Sequence, residues 1–390
     1  MKQRVAIAGA GPVGLTAALC LARAGHEVRV FEKAAALPTT PRAFALHPPT
    51  LDLLERLGIL ADVEPLGRRV NEIDYYRCNT GRPERVARFG FNLLAGFTGH
   101  PYRMHLEQSL LTPALLEALN REPGARVEFG AEVTGFKEIP DGVEVPVRRA
   151  GATQGETFSY LLGADGAKST VRAAAGLAFD GEDHERRLLR IMTPLDMRSI
   201  IPGLAGVSYL YNDVDSISLL EMRDVWRVII RVPPKTCDEE AREPTFLRRE
   251  LRRFFPLEGD LPASAIDIYG TSQRVAETMW RGRVLLAGDA AHLTSTRGDM
   301  NMNCGLHDAW ALGEAFTAKS LRAGLDTWTS SRRAAIVDQL IPLAERANRG
   351  GAMFLASIEA SARKSAEARR FVREAAMIDL APSFVDRKRA

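Results

Sequence analysis

Glycines at positions 9, 11 and 14, set between an apolar run and a helical one, constrain this chain more than any other feature. Arg4 to Ala8 reads as a short buried strand, and Leu15 to Ala24 continues as a helix that Gly25 ends at the expected C-cap position. Val28 to Phe31 reads as a second strand finishing at Glu32. Gly9 permits the tight turn, Gly11 lets the backbone approach a pyrophosphate, and Gly14 lets helix and strand pack together. Pro12 and Val13 complete the spacing, and the helix N-terminus behind them faces phosphate charge. Glu32 lies 18 residues beyond Gly14, where its carboxylate, with Lys33 beside it, can meet an adenosine ribose. An acid there disfavours a 2′-phosphate. Because strand, helix, second strand and terminal acid all agree, the segment reads as a βαβ dinucleotide unit rather than a chance glycine-rich turn.

Two later segments narrow the nucleotide. Tyr160 to Gly163 reads as a strand running into Ala164, Asp165 and Gly166, with Ser169 and Arg172 on the following helix. Val284 to Ala287 reads as another strand, leading into Gly288, Asp289, Ala290, Ala291 and His292 and on to Ala309. In this order and at these separations the three segments resemble the class A flavoprotein monooxygenases, the family of p-hydroxybenzoate hydroxylase, over nearly the whole chain.

That resemblance implies an α/β fold: a Rossmann-like FAD-binding domain, a second antiparallel-sheet substrate domain and a helical C-terminal region. The expected division is 1–71, 98–178 and 270–326 for the FAD domain, 72–97 and 179–269 for the substrate domain, and 327–390 for the helical region. It also implies FAD on Gly9, Gly11, Pro12, Val13, Gly14, Glu32 and Lys33. Asp289 would hold the ribityl chain, and Asp165 would lie near the pyrophosphate and the nicotinamide entry route. Gly298 and the pair Met302–Asn303 would sit at a helix start facing the flavin pyrimidine ring, where positive helix potential favours a reduced, anionic flavin. Asp308 would lie on that helix. Arg42 resembles the family arginine that contacts the FAD backbone, and Gln108 a family glutamine at the flavin. His292 reads as structural, whereas His47 and Thr296 are candidates for a catalytic role.

The third segment departs from the family pattern without changing length. Ser295 and Thr296 stand where the family usually has two prolines, and Asp299 and Asn301 where it usually has glycine. Thr296 keeps a carbonyl but adds donors that proline lacks. Asp299 would place an acid near reduced flavin unless it points to solvent, and Asn301 is the residue expected to tolerate a left-handed turn.

Val207 to Val232 alternates like antiparallel strands, with turns at Asn212–Asp213 and Arg223–Asp224. Tyr209, Tyr211 and Arg223 are candidates to line a pocket there for an aromatic, anionic ligand; cross-strand packing is the competing explanation. Ile73 to Arg77 looks like a further strand of the same domain. From about Thr327 the chain reads as mostly helical, interrupted at Pro342 and Gly350–Gly351, with Arg363 to Arg373 a charge-rich helix that presents a solvated face.

Composition sets outer limits. A net charge of +3 with scattered Lys and Arg argues against nucleic acid as a partner. Four cysteines without a CxxC pair indicate neither a disulfide framework nor a metal site, so reduced thiols in a cytoplasmic protein are expected. No apolar run reaches the roughly 18 residues of a membrane span, and glycines and a proline break the N-terminal run that otherwise resembles a leader. Only one complete dinucleotide fingerprint is present, which suits a family that binds NADH or NADPH without a second Rossmann unit. The function implied is FAD-dependent, NAD(P)H-consuming hydroxylation of a small aromatic or polyketide-like substrate by O2 through a flavin C4a-hydroperoxide, by a monomer or homodimer. Oxidase or reductase chemistry on the same fold, and an FAD protein that merely holds an intermediate, are the alternatives. Halogenation falls behind, because Val225 to Ile229 lacks the WxWxI signature.

Overall fold

The computed structural model describes residues 2–39, 44–79, 81–295, 298–349 and 352–381. Arg4–Ala8 lies inside a six-stranded sheet ordered Trp280–Arg281, Val284–Leu286, Tyr160–Gly163, Arg4–Ala8, Glu27–Glu32, Ala125–Phe129. All pairings are parallel except the edge hairpin of Trp280–Arg281 with Val284–Leu286. Helices cover such a sheet on both faces, so its central strands read as unbroken apolar runs: Val5, Ala6 and Ile7 are wholly buried. Helix α1 (Pro12–Arg23) starts with proline at its first position, where no intrahelical N–H bond is lost. Helix α2 is Gln108–Asn120 and helix α3 is Met300–Phe316. α1 and α3 cross so closely that a Cβ on Gly313 would lie 2.6 Å from the Cys20 Cβ.

The second sheet has seven strands, ordered Ala265–Tyr269, Leu188–Thr193, Trp226–Arg231, Ser216–Glu221, Val207–Tyr211, Glu72–Arg77, Glu84–Gly90. It is antiparallel except at one place, where Val207–Tyr211 pairs in parallel with Glu72–Arg77 because the two arrive from distant parts of the chain. Alternation divides its side chains between two cores. Leu210 and Ile217 pack with Phe246, Leu251 and Phe255 on one face. Tyr75, Tyr209 and Tyr211 face the other way, toward the C-terminal helices.

Of these, α4 (Leu321–Ala334) packs on the main core, whereas α5 (Ala352–Ala362) and α6 (Ser365–Ala375) meet the tyrosine face. The charge-rich helix expected over Arg363–Arg373 is present as α6, which begins two residues later, at Ser365, after α5 ends at Ala362. Arg363 does pair with Glu359 at 2.6 Å across one turn. The opposite face is not solvated, since Val372 and Ala368 are buried against the tyrosine face of the sheet. Gly350–Gly351 lies outside the described residues. Cys78 and Cys304 are buried, Cys237 is exposed, and all four cysteines are free. Among the described residues no helix is long and apolar enough to cross a membrane.

Candidate FAD site and adjoining cavity

The glycine loop brings the three distant segments together. Gly9 has φ 102°, and a Cβ there would strike the Ala164 carbonyl oxygen; one on Gly14 would strike the Gly9 carbonyl oxygen. Val13 fills the other side. Its side chain sits so near Gly288 and Gly305 that a Cβ would meet it at 2.8 and 2.7 Å, respectively. The first segment therefore touches both the Asp165 turn and the Gly288 turn, and each meeting is of the kind only glycine allows.

A cavity of about 570 Å³ opens over this loop. Gly9, Gly11, Glu32, Lys33, Gln108 and Asp165 all line it. Gly11, in ordinary extended conformation, faces open space. The Glu32 carboxylate accepts from the Ala10 N–H at 2.8 Å and the Ala34 N–H at 2.9 Å, which orients it and leaves lone pairs for ribose hydroxyls. Asp165 Oδ2 accepts from the Thr170 and Val171 amides, whereas its buried Oδ1 has no partner. An orphaned acceptor and an open backbone in a cavity this size fit the ADP half of FAD.

Helix α3 starts from Asp299, which is left-handed (φ 55°, ψ 42°), so Asp299 and not Asn301 takes the strained position. No side chain caps the helix, leaving its first-turn N–H groups for a ligand. The Asn303 amide is fully used within the protein. It donates to the Ala45 and Asp299 carbonyls at 2.8 Å each and accepts from the His47 N–H at 2.9 Å. Met302 packs on the main core. Backbone amides, not the Met302 or Asn303 side chains, are thus what the helix start offers. His47 is wholly buried, its Nε2 is 2.8 Å from the Gly298 carbonyl, and burial holds its pKa well below the usual value. As a neutral ring it donates from Nε2, and it ties the 44–47 segment to the Gly298 turn.

Asn301 serves a different purpose from the expected turn. Its Nδ2 donates to Asp289 Oδ1 at 2.6 Å, and its Oδ1 accepts from His292 Nδ1 at 3.1 Å. His292 Nε2 donates to Asp308 Oδ2 at 2.6 Å, so both ring nitrogens donate and the ring is the imidazolium. Burial opposes that charge, but the Asp308 carboxylate outweighs it and raises the pKa. Burial likewise opposes ionisation of Asp308, and His292 with Arg332 overcomes it, holding the carboxyl well below its usual range. Arg332 Nε donates to Asp308 Oδ1 at 2.8 Å and Nη1 to the Leu380 carbonyl at 2.7 Å. A chain of polar contacts so runs from α4 to Asp289, buried from Arg332 to His292 and exposed at Asp289. His292, Cys304 and Asp308 present ligand atoms within 4.8 Å of one another, but the Arg332 guanidinium, 3.2 Å from Cys304 Sγ, already supplies the positive charge.

A second cavity, of about 420 Å³, lies between the tyrosine face of the seven-stranded sheet and the C-terminal helices. Gly298, Met300 and Arg103 line it together with Tyr75, Tyr209, Tyr211, Phe354 and Phe371. Tyr75 is the hub of its aromatic wall, with ring centroids 5.4 Å from Tyr209 and 5.8 Å from Phe371. A third, smaller cavity of about 240 Å³ shares Tyr209 and Gly298 and adds Ser295 and Asp299. Asp299 does not simply point to solvent: burial pushes its carboxyl up to about 6, against the pull of Arg103 and Arg227.

The structure thus gathers Gly9, Gly11, Glu32, Lys33, Gln108 and Asp165 around one cavity and Tyr209, Tyr211 and Gly298 around another. Arg223 is on the exposed turn between Ser216–Glu221 and Trp226–Arg231, away from these cavities, a correction to its expected place. Turn residues at a strand end project outward, and the inward arginines are Arg103 and Arg227, 1% and 2% exposed. Arg42 and Thr296 lie outside the described residues. Arg103, Tyr75, Phe354 and Phe371 escaped the sequence. Only the apolar period of α6 and the Tyr75–Tyr76 pair hinted at them.

Residues 2–342 match the FAD binding domain family. The chain belongs to that family, as a class A flavoprotein aromatic hydroxylase, and is an FAD-dependent monooxygenase. It is similar to para-nitrophenol 4-monooxygenase of Pseudomonas sp. (strain WBC-3), 30% identical over 352 residues that cover 87% of this chain and 85% of the relative. It is equally similar to 6-hydroxy-3-succinoylpyridine 3-monooxygenase HspB of Pseudomonas putida (strain DSM 28022 / S16), 30% identical with 88% of each chain covered. The crystal structure of p-nitrophenol 4-monooxygenase PnpA from Pseudomonas putida DLL-E4 superposes with a TM-score of 0.87 at 27% identity, covering 95% of this chain and 96% of that one.

Proposed function

We propose that this protein uses NADH or NADPH and O2 to hydroxylate a small aromatic ring held in the cavity beneath α5 and α6. One observation carries the proposal: the aromatic-walled cavity ends at Gly298 and Met300, the start of the uncapped helix α3. By the family resemblance, the flavin ring would lie at that helix start. Bound FAD would supply hydride acceptance and oxygen activation. This chain's residues bind and orient. Glu32, Asp165 and the glycine loop would hold the ADP half, Asp289, clamped by Asn301, the ribityl chain, and first-turn amides of α3 the negative charge of the reduced pyrimidine ring. The tyrosines would stack the substrate ring, and the helices above would exclude water, whose entry would divert oxygen to hydrogen peroxide. His47, buried and neutral, would position the Gly298 turn rather than exchange protons with substrate.

The test is oxidation of NADH and NADPH by the FAD-loaded protein in air, across phenols, aromatic acids and larger polyketide-like phenols. Stimulation coupled to a one-oxygen mass gain in the product is expected. Ring-independent oxidation yielding only peroxide, over the whole panel, would overturn the proposal.

A further inference from the structure

The cavity that holds the tyrosines also holds a guanidinium with unmet donors. Arg103 is 1% exposed, and its buried Nε and Nη1 have no hydrogen-bond partner. Leaving a buried donor unsatisfied costs about 1–3 kcal/mol, and more when the group is charged. Such a group in a functional cavity calls for a ligand. Among the described residues, the neighbouring cations each have an acid partner. Arg227 donates to Glu107 at 3.1 Å, and Arg346, at the cavity wall, pairs with Glu374 at 3.0 Å. His105, another ring near Arg103, is buried and uncharged, its pKa pushed down to about 3, with Nδ1 2.6 Å from the Glu221 carbonyl. Against Arg103 stands the longer-range field of Asp299, half of which is protonated near pH 6. An aromatic-walled cavity lined by a buried guanidinium with unpartnered donors suits an aromatic anion.

We propose that Arg103 is the residue that selects the substrate by charge, receiving the carboxylate of an aromatic acid. This rests on the proposed function in placing the reacting ring in that cavity. Arginine's guanidinium donates charge-assisted hydrogen bonds to a carboxylate, and the cluster of Tyr75, Tyr209 and Tyr211 would hold the ring that bears it. Arg223, the cation the sequence singled out, is replaced in this role by a residue of the three-residue strand Arg103–His105.

The experiment titrates FAD-loaded protein, without NAD(P)H, with matched pairs: benzoate and benzamide, 4-hydroxybenzoate and 4-hydroxybenzamide. Binding is read as perturbation of the flavin absorbance. The anion of at least one pair is expected to bind about 10- to 100-fold tighter than its amide. Arg103→Met should reduce the preference to within about threefold while FAD content and amide affinity persist. Arg103→Lys should restore part of it, and serves if the methionine variant does not fold. Absence of preference in every pair overturns the proposal. So does an Arg103→Met protein that keeps both its FAD and the full preference. The proposed function fails separately: anion preference without stimulated NAD(P)H oxidation sinks the hydroxylase reading and leaves Arg103 as an anion receptor.

Discussion

A methyl group added at Gly11 meets open space, whereas one added at Gly14 meets the Gly9 carbonyl oxygen. The two glycines of one fingerprint therefore make different predictions. Gly11→Ala should leave the melting temperature of the apoprotein unchanged and weaken FAD binding, because its Cβ enters the nucleotide cavity. Gly14→Ala should destabilise the apoprotein itself by about 1–3 kcal/mol. Equal effects of both on the apoprotein melt would contradict this division. Asp299 offers a pH test. Its carboxyl titrates near 6 in the folded protein against about 3.9 unfolded. The stability of its neutral form is fully present below about pH 3.9 and is lost as pH rises through the folded value. Asp299→Gly, which also relieves the left-handed strain at φ 55°, should melt higher than the parent by about 1 kcal/mol. That gap should widen from pH 4 to pH 7 in apoprotein melts, and a constant gap would refute the buried-acid account.

Helix α3 gathers the cluster of Asn301, His292, Asp308 and Arg332 about its first turns. Breaking a buried ion pair from one side leaves uncompensated charge, so Asp308→Asn should cost about 3–5 kcal/mol at pH 7. The signs at either end of the pH scale differ. The raised His292 contributes its stability below its unfolded value of about 6.5 and loses it as pH rises through the folded value. The depressed Asp308 contributes above about 3.9 and loses it as pH falls through its own. Imidazole titration by NMR should find His292 raised in the parent and lowered in Asp308→Asn; no change between them would exclude the coupling. At the other end of the chain α6 lays Phe371 over Phe89, centroids 4.5 Å apart, and over Tyr75. Phe371→Ala should cost only about 1–2 kcal/mol, since the ring is half-buried. It should nevertheless raise the share of NAD(P)H oxidation that ends in peroxide, because water would reach the cavity; unchanged coupling would show that α6 is no lid.

At the scale of the molecule, FAD would join segments of the chain nearly 300 residues apart, from Gly9 to Met302. At a hundredfold excess over its Kd, FAD should stabilise the fold by about 2.7 kcal/mol and raise Tm by a few degrees. A melt indifferent to FAD would contradict the site. The βαβ unit, Glu32, the Asp165 turn and the Gly288 turn were legible in the sequence because each is a local matter. A strand needs an apolar run, a phosphate turn needs glycine, and both are written within about thirty residues. The two tyrosines were legible for the same reason, as alternate positions on one strand. Arg103, Phe354 and Phe371 were not. They come from a three-residue strand and two terminal helices, and nothing in their neighbourhoods says they face one cavity. Arg223 misled, since a basic residue beside an expected pocket strand has no marker for the side it takes at a turn. Asn301 misled too: its sequence position suggested a backbone role, and its side chain instead clamps Asp289 to His292. The sequence by itself determined the nucleotide fold and the glycines that close contact demands, because sterics act between near neighbours. Tertiary structure alone decided which charges were buried without partners and which aromatic rings met, because desolvation and stacking depend on what distant segments bring to the same place.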